Sequence, residues 1–290
     1  MTGGFVTRFA PSPTGRLHKG HAFSALTAFE AARAAGGRFL LRIEDIDRTR
    51  ARPAFEAAIL EDLGWLGVTW AAPVRRQSDH MEAYRRALDD LARRGLVYRC
   101  FRTRRELLED IGQAPHGAQA AWRGGPLVPA EEARRLDAGE GFAWRLSLDA
   151  ARVCLGDEAW AALSFVEEGL GPRGEHGVIK ARPELAGDVV LARKDVGVAY
   201  HLAVAVDDAL QGVSHVIRGE DLHEAAHIQR LIQALLGLPT PVYRHHRLLV
   251  GPDGERLAKR AGSESLVDMR ARGVTPADLR RELGFAPTSV

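Results

Sequence analysis

At 290 residues, with 46% hydrophobic and 27% charged residues, the chain has an ordinary globular balance and length enough for two packed units. A formal net charge of +2 gives no overall pull on nucleic acid, and no run of about 18 apolar residues offers a membrane span. Two cysteines, Cys100 and Cys154, do not suggest a disulfide framework, and the N-terminal MTGGFVTRFAPSP lacks a signal-peptide core, so a cytoplasmic protein is expected.

The chain opens with a short strand over residues 6–10. A Pro-Ser-Pro-Thr-Gly turn follows, in which two prolines forbid helix and Gly15 permits an unusual backbone. An Ala-rich helix then runs over residues 20–35 and closes at Gly36-Gly37. A strand, a tight turn and a helix N-terminus form a ready anion site, because the free N–H groups of the first turn face the ligand. His18 and His21 are three apart and share one face of that turn. Together these features predict a seat for the phosphates of a nucleoside triphosphate.

Residues 39–43 read as a buried strand of a βαβ unit, ending in Glu44-Asp45-Ile46-Asp47. Ligands of open parallel sheets bind beyond the carboxyl ends of strands, where Arg8 and Glu44 would both lie. Helices are predicted over 53–66 and 81–94. From about residue 97 the pattern changes: a short strand-like piece, a helical piece at 103–111, a Gly/Ala/Pro-rich loop at 112–129, a strand at 142–148 and a broken stretch at 167–183. Residues 96–185 therefore read as an insertion. Parallel-sheet character is expected to return with strands at 188–192, 200–206 and 213–218, followed by an amphipathic helix at 223–236. A Gly-Pro-Asp-Gly turn then leads into Arg256-Leu257-Ala258-Lys259-Arg260, and two short helices, 264–272 and 276–283, finish the chain. Only four of the 40 basic residues are lysines, and most of the arginine pairs suit solvated helix faces.

Two patterns point to other chemistry. His223-Glu224-Ala225-Ala226-His227 fits the H-E-x-x-H zinc-hydrolase pattern but lacks an obvious third ligand. Asp45 and Asp47 after an apolar strand fit a phosphatase-type aspartate pair, but a helix-capping acidic turn is the preferred reading.

The string RFAPSPTGRLHKGH, Arg8 to His21, resembles the ATP-binding signature of class I aminoacyl-tRNA synthetases of the glutamyl branch and matches all its fixed positions. The loop around Lys259 is similar to the second, KMSKS-type signature, with Ala258 where a serine is common. Further similarity covers residues 197–208 and 215–221, so the resemblance spans both ends of the catalytic fold. It implies an α/β fold: a Rossmann-like doubly wound parallel sheet with an inserted α+β subdomain and a short helical stem. The expected divisions are 1–95, 96–185, 186–245 and 246–290. It also implies ATP, with Mg2+, held by Pro11, Ser12, Thr14, Gly15, His18, Gly20, His21 and Lys259, of which His18, His21 and Lys259 are catalytic. Glutamate is implied at Arg8, Phe9, Ala10, Pro11, Ser12, Glu44, Tyr200 and Arg218. Two arginines in one pocket would favour glutamate over glutamine.

Relatives often carry a zinc site near Cys100, but here Arg102 stands where a second cysteine would be, so no structural zinc is expected. The chain stops soon after Lys259, where full glutamyl-tRNA synthetases continue into an anticodon-binding region. In this it resembles the short glutamyl-Q tRNA(Asp) branch, which implies transfer of glutamate to the queuosine base of the tRNA(Asp) anticodon by a monomer. A truncated synthetase charging a tRNA 3′ end, a non-catalytic nucleotide-binding module and a zinc hydrolase are the alternatives.

Overall fold

A computed structural model describes residues 4–103, 106, 122–193, 197–249 and 264–287. The expected helix at 103–111, much of the 112–129 loop, and the Lys259 loop lie wholly or mostly outside the described residues. The chain begins as β1 (Val6–Phe9), α1 (Lys19–Ala34), β2 (Arg38–Ile43), α2 (Pro53–Trp65), β3 (Ala71–Arg76) and α3 (Met81–Arg93). It continues through β4 (Val97–Cys100), α4 (Pro129–Asp137), β5 (Ala143–Leu146), α5 (Leu148–Leu155), α6 (Asp157–Ala162), β6 (Ser164–Glu167), β7 (Gly177–Lys180) and β8 (Val190–Arg193). It ends with α7 (Tyr200–Leu210), β9 (His215–Gly219), α8 (His223–Leu236), β10 (Val242–His246), α9 (Leu266–Ala271) and α10 (Pro276–Glu282).

Two parallel half-sheets carry the fold. One has the order β1-β2-β3; the other runs β9-β10-β6, with β7 antiparallel at its edge. Ser214 joins them: its hydroxyl accepts the Val6 amide at 2.8 Å, and its own amide donates to the Val6 carbonyl at 2.9 Å. Read across this join, the order 3-2-1-9-10-6 is that of a doubly wound nucleotide fold, whose ligand crevice opens where the winding reverses, between β1 and β9. One core cluster packs α1 and α2 with the C-terminal helices through Leu26, Leu41, Ile59, Leu63, Leu266 and Leu279. The other packs α3, α7 and α8 through Leu91, Leu202, Ile228, Leu231 and Ile232. Among the described residues, no helix is long and apolar enough to cross a membrane.

Three expectations are corrected. Residues 200–206 form helix, not strand: every residue from Leu202 to Asp208 is buried, so no solvent face imposes a readable period. Residues 188–192 do not return to the parallel sheet: Val190–Arg193 pairs antiparallel with β5, which itself pairs antiparallel with β4. Conversely β6, inside the expected insertion, belongs to the parallel sheet through Glu167 opposite Tyr243. A short apolar run does not specify its pairing partner.

Candidate functional site

The phosphate-type turn is pinned from both sides. The Glu44 amide donates to the Pro11 carbonyl and the Arg52 amide to that of Pro13, each at 3.0 Å. His18 is the N-cap of α1: its Nδ1 accepts from the Gly20 amide at 3.1 Å, and His21 Nδ1 accepts from the His18 amide at 3.2 Å. This is a capping box built from two imidazoles, with ring centroids 3.9 Å apart. It revises the sequence expectation of free first-turn amides, because those of Gly20 and His21 are engaged by His18. With both Nδ1 atoms accepting, each neutral ring carries its proton on Nε2. Gly20 sits close under the cap: a Cβ there would lie 3.0 Å from His18 Cε1, so the imidazole would have to give by a few tenths of an ångström. Gly15, where the sequence permits an unusual backbone, is not among the glycines in the left-handed region. Behind the turn, the Leu266 amide donates to the Leu17 carbonyl at 2.9 Å and Ser265 bridges to His18, so the start of α9 is tied to this motif.

A cleft of about 760 Å³ opens at the carboxyl ends of β1 and β9. Of the sequence-predicted residues, Arg8, Phe9, Ala10, Pro11, Ser12, Thr14, His18, Gly20, His21, Glu44, Tyr200 and Arg218 all line it. Gly15 does not, and Lys259 lies outside the described residues. The cleft has a second wall that sequence reasoning missed: Phe23, Ser24 and residues 246–249. There His246 Nε2 meets the Ser24 hydroxyl at 3.0 Å, and the Arg247 guanidinium lies 5.5 Å from the Phe23 ring centre.

Both arginines are nearly buried, and their partners set where they point. Arg8 Nε donates to Asp208 at 3.0 Å, Nη2 to its other oxygen at 3.5 Å, and Nη1 to the Ile217 carbonyl at 3.4 Å. Asp208 also accepts from Arg42 Nη1 at 2.7 Å. Arg42, fully buried on β2, reaches Gln211 at 3.0 Å and Glu44 Oε1 at 3.1 Å. Arg75 and Gln77 in turn donate to Asp207 at 2.8 and 2.9 Å. Arg8, Arg42 and Arg75 are thus matched by Glu44, Asp207 and Asp208. Burial acts against the Arg42 charge, but Asp208, Glu44 and Asp207 hold its pKa above the ordinary value. Burial likewise acts against ionised Asp208, yet Arg8 and Arg42 keep its pKa below the ordinary value. At Glu44 burial wins and its pKa is raised despite Arg42 and Arg8. An ammonium brought to that carboxylate would oppose the shift.

Arg218 is held differently. Nε donates to His245 Nε2 at 3.1 Å, Nη1 to Gln229 at 2.9 Å and Nη2 to the Leu222 carbonyl at 2.9 Å. Tyr200 stands at the start of α7 on the cleft wall, and burial raises its phenol pKa.

The competing motifs resolve on geometry. In the H-E-x-x-H stretch, His227 Nδ1 accepts the Arg182 amide at 3.1 Å, and Glu224 is exposed while both histidines are buried. Among the described residues, the one group of three possible metal ligands is Glu167, His223 and His245, which includes neither cysteine and only one member of that motif. Asp45 accepts from the Ser78 amide and hydroxyl, and Asp47 caps Thr49 and Arg50, so neither is an open catalytic carboxylate.

Comparison with known proteins agrees with this geometry. The family model of class I tRNA synthetases (E and Q), catalytic domain, matches residues 5–285. A glutamyl-Q tRNA(Asp) synthetase of Rhodobacter capsulatus is 51% identical over 97% of this chain and 100% of its own length. One from Symbiobacterium thermophilum is 41% identical over 96% of this chain and 85% of its own length. Glutamate–tRNA ligase 2 of Cereibacter sphaeroides is 41% identical over 94% of this chain, which spans 59% of that ligase. In fold, the chain matches a crystal structure of a glutamate tRNA ligase from Elizabethkingia meningosepticum in complex with its amino acid. The TM-score is 0.75 at 24% identity, covering 97% of this chain and 60% of that one.

Proposed function

The chain belongs to the class I tRNA synthetase (E and Q) catalytic-domain family, and from that premise we propose that it activates glutamate with ATP and transfers it to tRNA(Asp). The acceptor is the queuosine base of the anticodon, the role suggested by the names of the relatives matched over most of their length. The observation that carries activation is the convergence of Arg8, Arg218 and Glu44 beside the two-imidazole cap in one cleft. Two guanidiniums and a carboxylate complement the two carboxylates and one ammonium of glutamate.

In the reaction, a carboxylate oxygen of glutamate attacks the α-phosphorus of ATP in line. The new C–O–P bond forms as the bond to the β-phosphate oxygen breaks, giving glutamyl adenylate and pyrophosphate. The Nε2–H groups of His18 and His21, and the ammonium of Lys259, stabilise charge that grows on the phosphate oxygens. Mg2+ carried by the ATP phosphates would supply further neutralisation of that charge. The adenylate then passes glutamate to the queuosine and releases AMP. The protein acts as a cytoplasmic monomer, with an inserted subdomain built on the antiparallel β4-β5-β8 sheet.

Glutamate-dependent ATP–pyrophosphate exchange without tRNA tests the first step. Exchange with glutamate but not glutamine or aspartate is expected; none with any amino acid would sink tRNA-independent activation. Offering tRNA(Asp) with and without queuosine tests the second, and charging of a tRNA 3′ end would redirect the reading to a truncated ligase. Lys259→Ala should slow adenylate formation far more than it weakens glutamate binding.

A further inference from the structure

At the carboxyl edge of the second half-sheet, three neighbouring strands each contribute one polar side chain: Glu167 on β6, His245 on β10 and Arg218 on β9. His245 and Arg218 are register partners, so the imidazole lies directly beside the guanidinium. Arg218 Nε–H is an obligate donor, so the His245 Nε2 it meets at 3.1 Å is an acceptor. The imidazole proton must then sit on Nδ1, where it donates to Glu167 Oε2 at 2.5 Å. The other Glu167 oxygen accepts the amides of His245 and Gly169, both at 2.8 Å, which fixes the carboxylate. Glu167 and His245 are both buried, and neither lines the cleft.

We propose that Glu167 and His245 are positioning residues for the substrate-binding arginine: Glu167 fixes the tautomer of His245, and His245 Nε2 holds Arg218 towards the cleft. Three of the five guanidinium N–H groups are then engaged, with His245, Gln229 and the Leu222 carbonyl. Two are left among the described residues to meet a ligand carboxylate. Glutamate as that ligand rests on the function proposed above. A cation on Glu167, His223 and His245, whose donor atoms lie within 4.8 Å of one another, is the competing use of these side chains. Binding at His245 Nδ1 would move the proton to Nε2, against the Arg218 N–H; binding at Nε2 would displace Arg218.

Two near-isosteric variants separate the relay from plain packing. In Glu167→Gln the amide carbonyl stays with the two backbone donors, so the amide NH2 faces His245 Nδ1. The ring must take the other tautomer, and Nε2–H then opposes Arg218. In His245→Gln one amide can still accept from Arg218 and donate to Glu167. We expect Glu167→Gln to raise the KM for glutamate about tenfold or more, with the KM for ATP unchanged and kcat little affected. His245→Gln should retain more of the glutamate affinity than His245→Leu. Long-range 1H–15N correlation spectra of the histidine side chains should show Nδ1–H for His245 in the native protein and Nε2–H in Glu167→Gln. A native Nε2–H, an unchanged tautomer and KM in Glu167→Gln, or stoichiometric transition metal in the purified protein would each overturn the proposal. The spectra need no substrate, so they decide the relay even if the native protein shows no exchange and the proposed function falls.

Discussion

Arg8 and Arg218 face the same cleft, stand on adjacent strands and are 4% and 5% exposed, yet they are held by opposite means. Arg8 lies against a carboxylate, Asp208, inside a cluster whose charges match one for one. Among the described residues, Arg218 donates only to neutral acceptors, an imidazole, an amide and a carbonyl, with Glu167 one residue further back. Asp208 locks Arg8 strongly but already neutralises much of its charge. The partners of Arg218 orient it while leaving its charge for a ligand. One arginine is thus chiefly part of the frame, the other chiefly part of the site.

Three substitutions strain this contrast most. Asp208→Asn leaves Arg8 and Arg42 buried without their shared carboxylate and should cost about 3–5 kcal/mol, read as a lower urea midpoint. Arg8→Met leaves Asp208 with Arg42 alone and should cost about 1–3 kcal/mol in stability along with glutamate affinity. Arg218→Met should leave thermal stability within a few degrees of native, because its partners are uncharged and a buried charge is relieved. Its kcat/KM for glutamate should nevertheless fall about a hundredfold. Equal stability losses in the two arginine variants would erase the distinction.

The legible part of the molecule is the part whose geometry is local. Two prolines, Gly20 and two histidines three apart specify the strand–turn–helix, because its contacts span a few residues. The charge cluster was not legible. Arg42 meets Asp208 and Arg8 meets it too, over separations of 166 and 200 residues, and no local pattern announces such a pair. The one signal was an arginine inside the apolar run Phe39-Leu40-Leu41-Arg42-Ile43, which a strand buried on both faces accepts only if the charge is met. His245 and Glu167 were hidden likewise, since their meeting depends on β6 joining the parallel sheet across the insertion. Helix α7 was misread because burial on all sides removes its period.

The contrast extends to pH. His201, His227 and His245 are each pushed down to about 4, chiefly by burial, with Arg218 adding at His201, His223 adding at His227, and Glu167 opposing at His245. Unfolded, each would titrate near about 6.5. Between these values the unfolded chain binds more protons, so stability is fully present above about pH 6.5 and is lost as pH falls towards 4. Each such proton contributes a slope of about 1.4 kcal/mol per pH unit within the window. Urea midpoints measured from pH 4 to 7 should fall steeply on the acid side, and His227→Gln should make that fall shallower. A flat profile would mean that these rings are not held neutral.

Asp62 sharpens the comparison further, because it shows a carboxylate–arginine pair that fails to hold its charge. It is buried on α2 with Arg270 Nη2 at 3.1 Å, but neither carboxylate oxygen has a partner in hydrogen-bond alignment. Burial therefore outweighs Arg270 and raises its pKa to about 6, whereas well-aligned Asp208 is lowered. The sign is opposite to that of the histidines. The native state binds the extra proton between the ordinary value of 3.8 and about 6, so this group lowers stability as pH rises through that window. Asp62→Asn keeps the shape and removes the titration. Its melting temperature at pH 7 should equal or slightly exceed the native one, and its acid-side profile should be steeper, because the opposing proton is gone. A clear loss of stability at pH 7 would show that the ion pair with Arg270 outweighs the burial of Asp62, and that alignment matters less here than at Asp208.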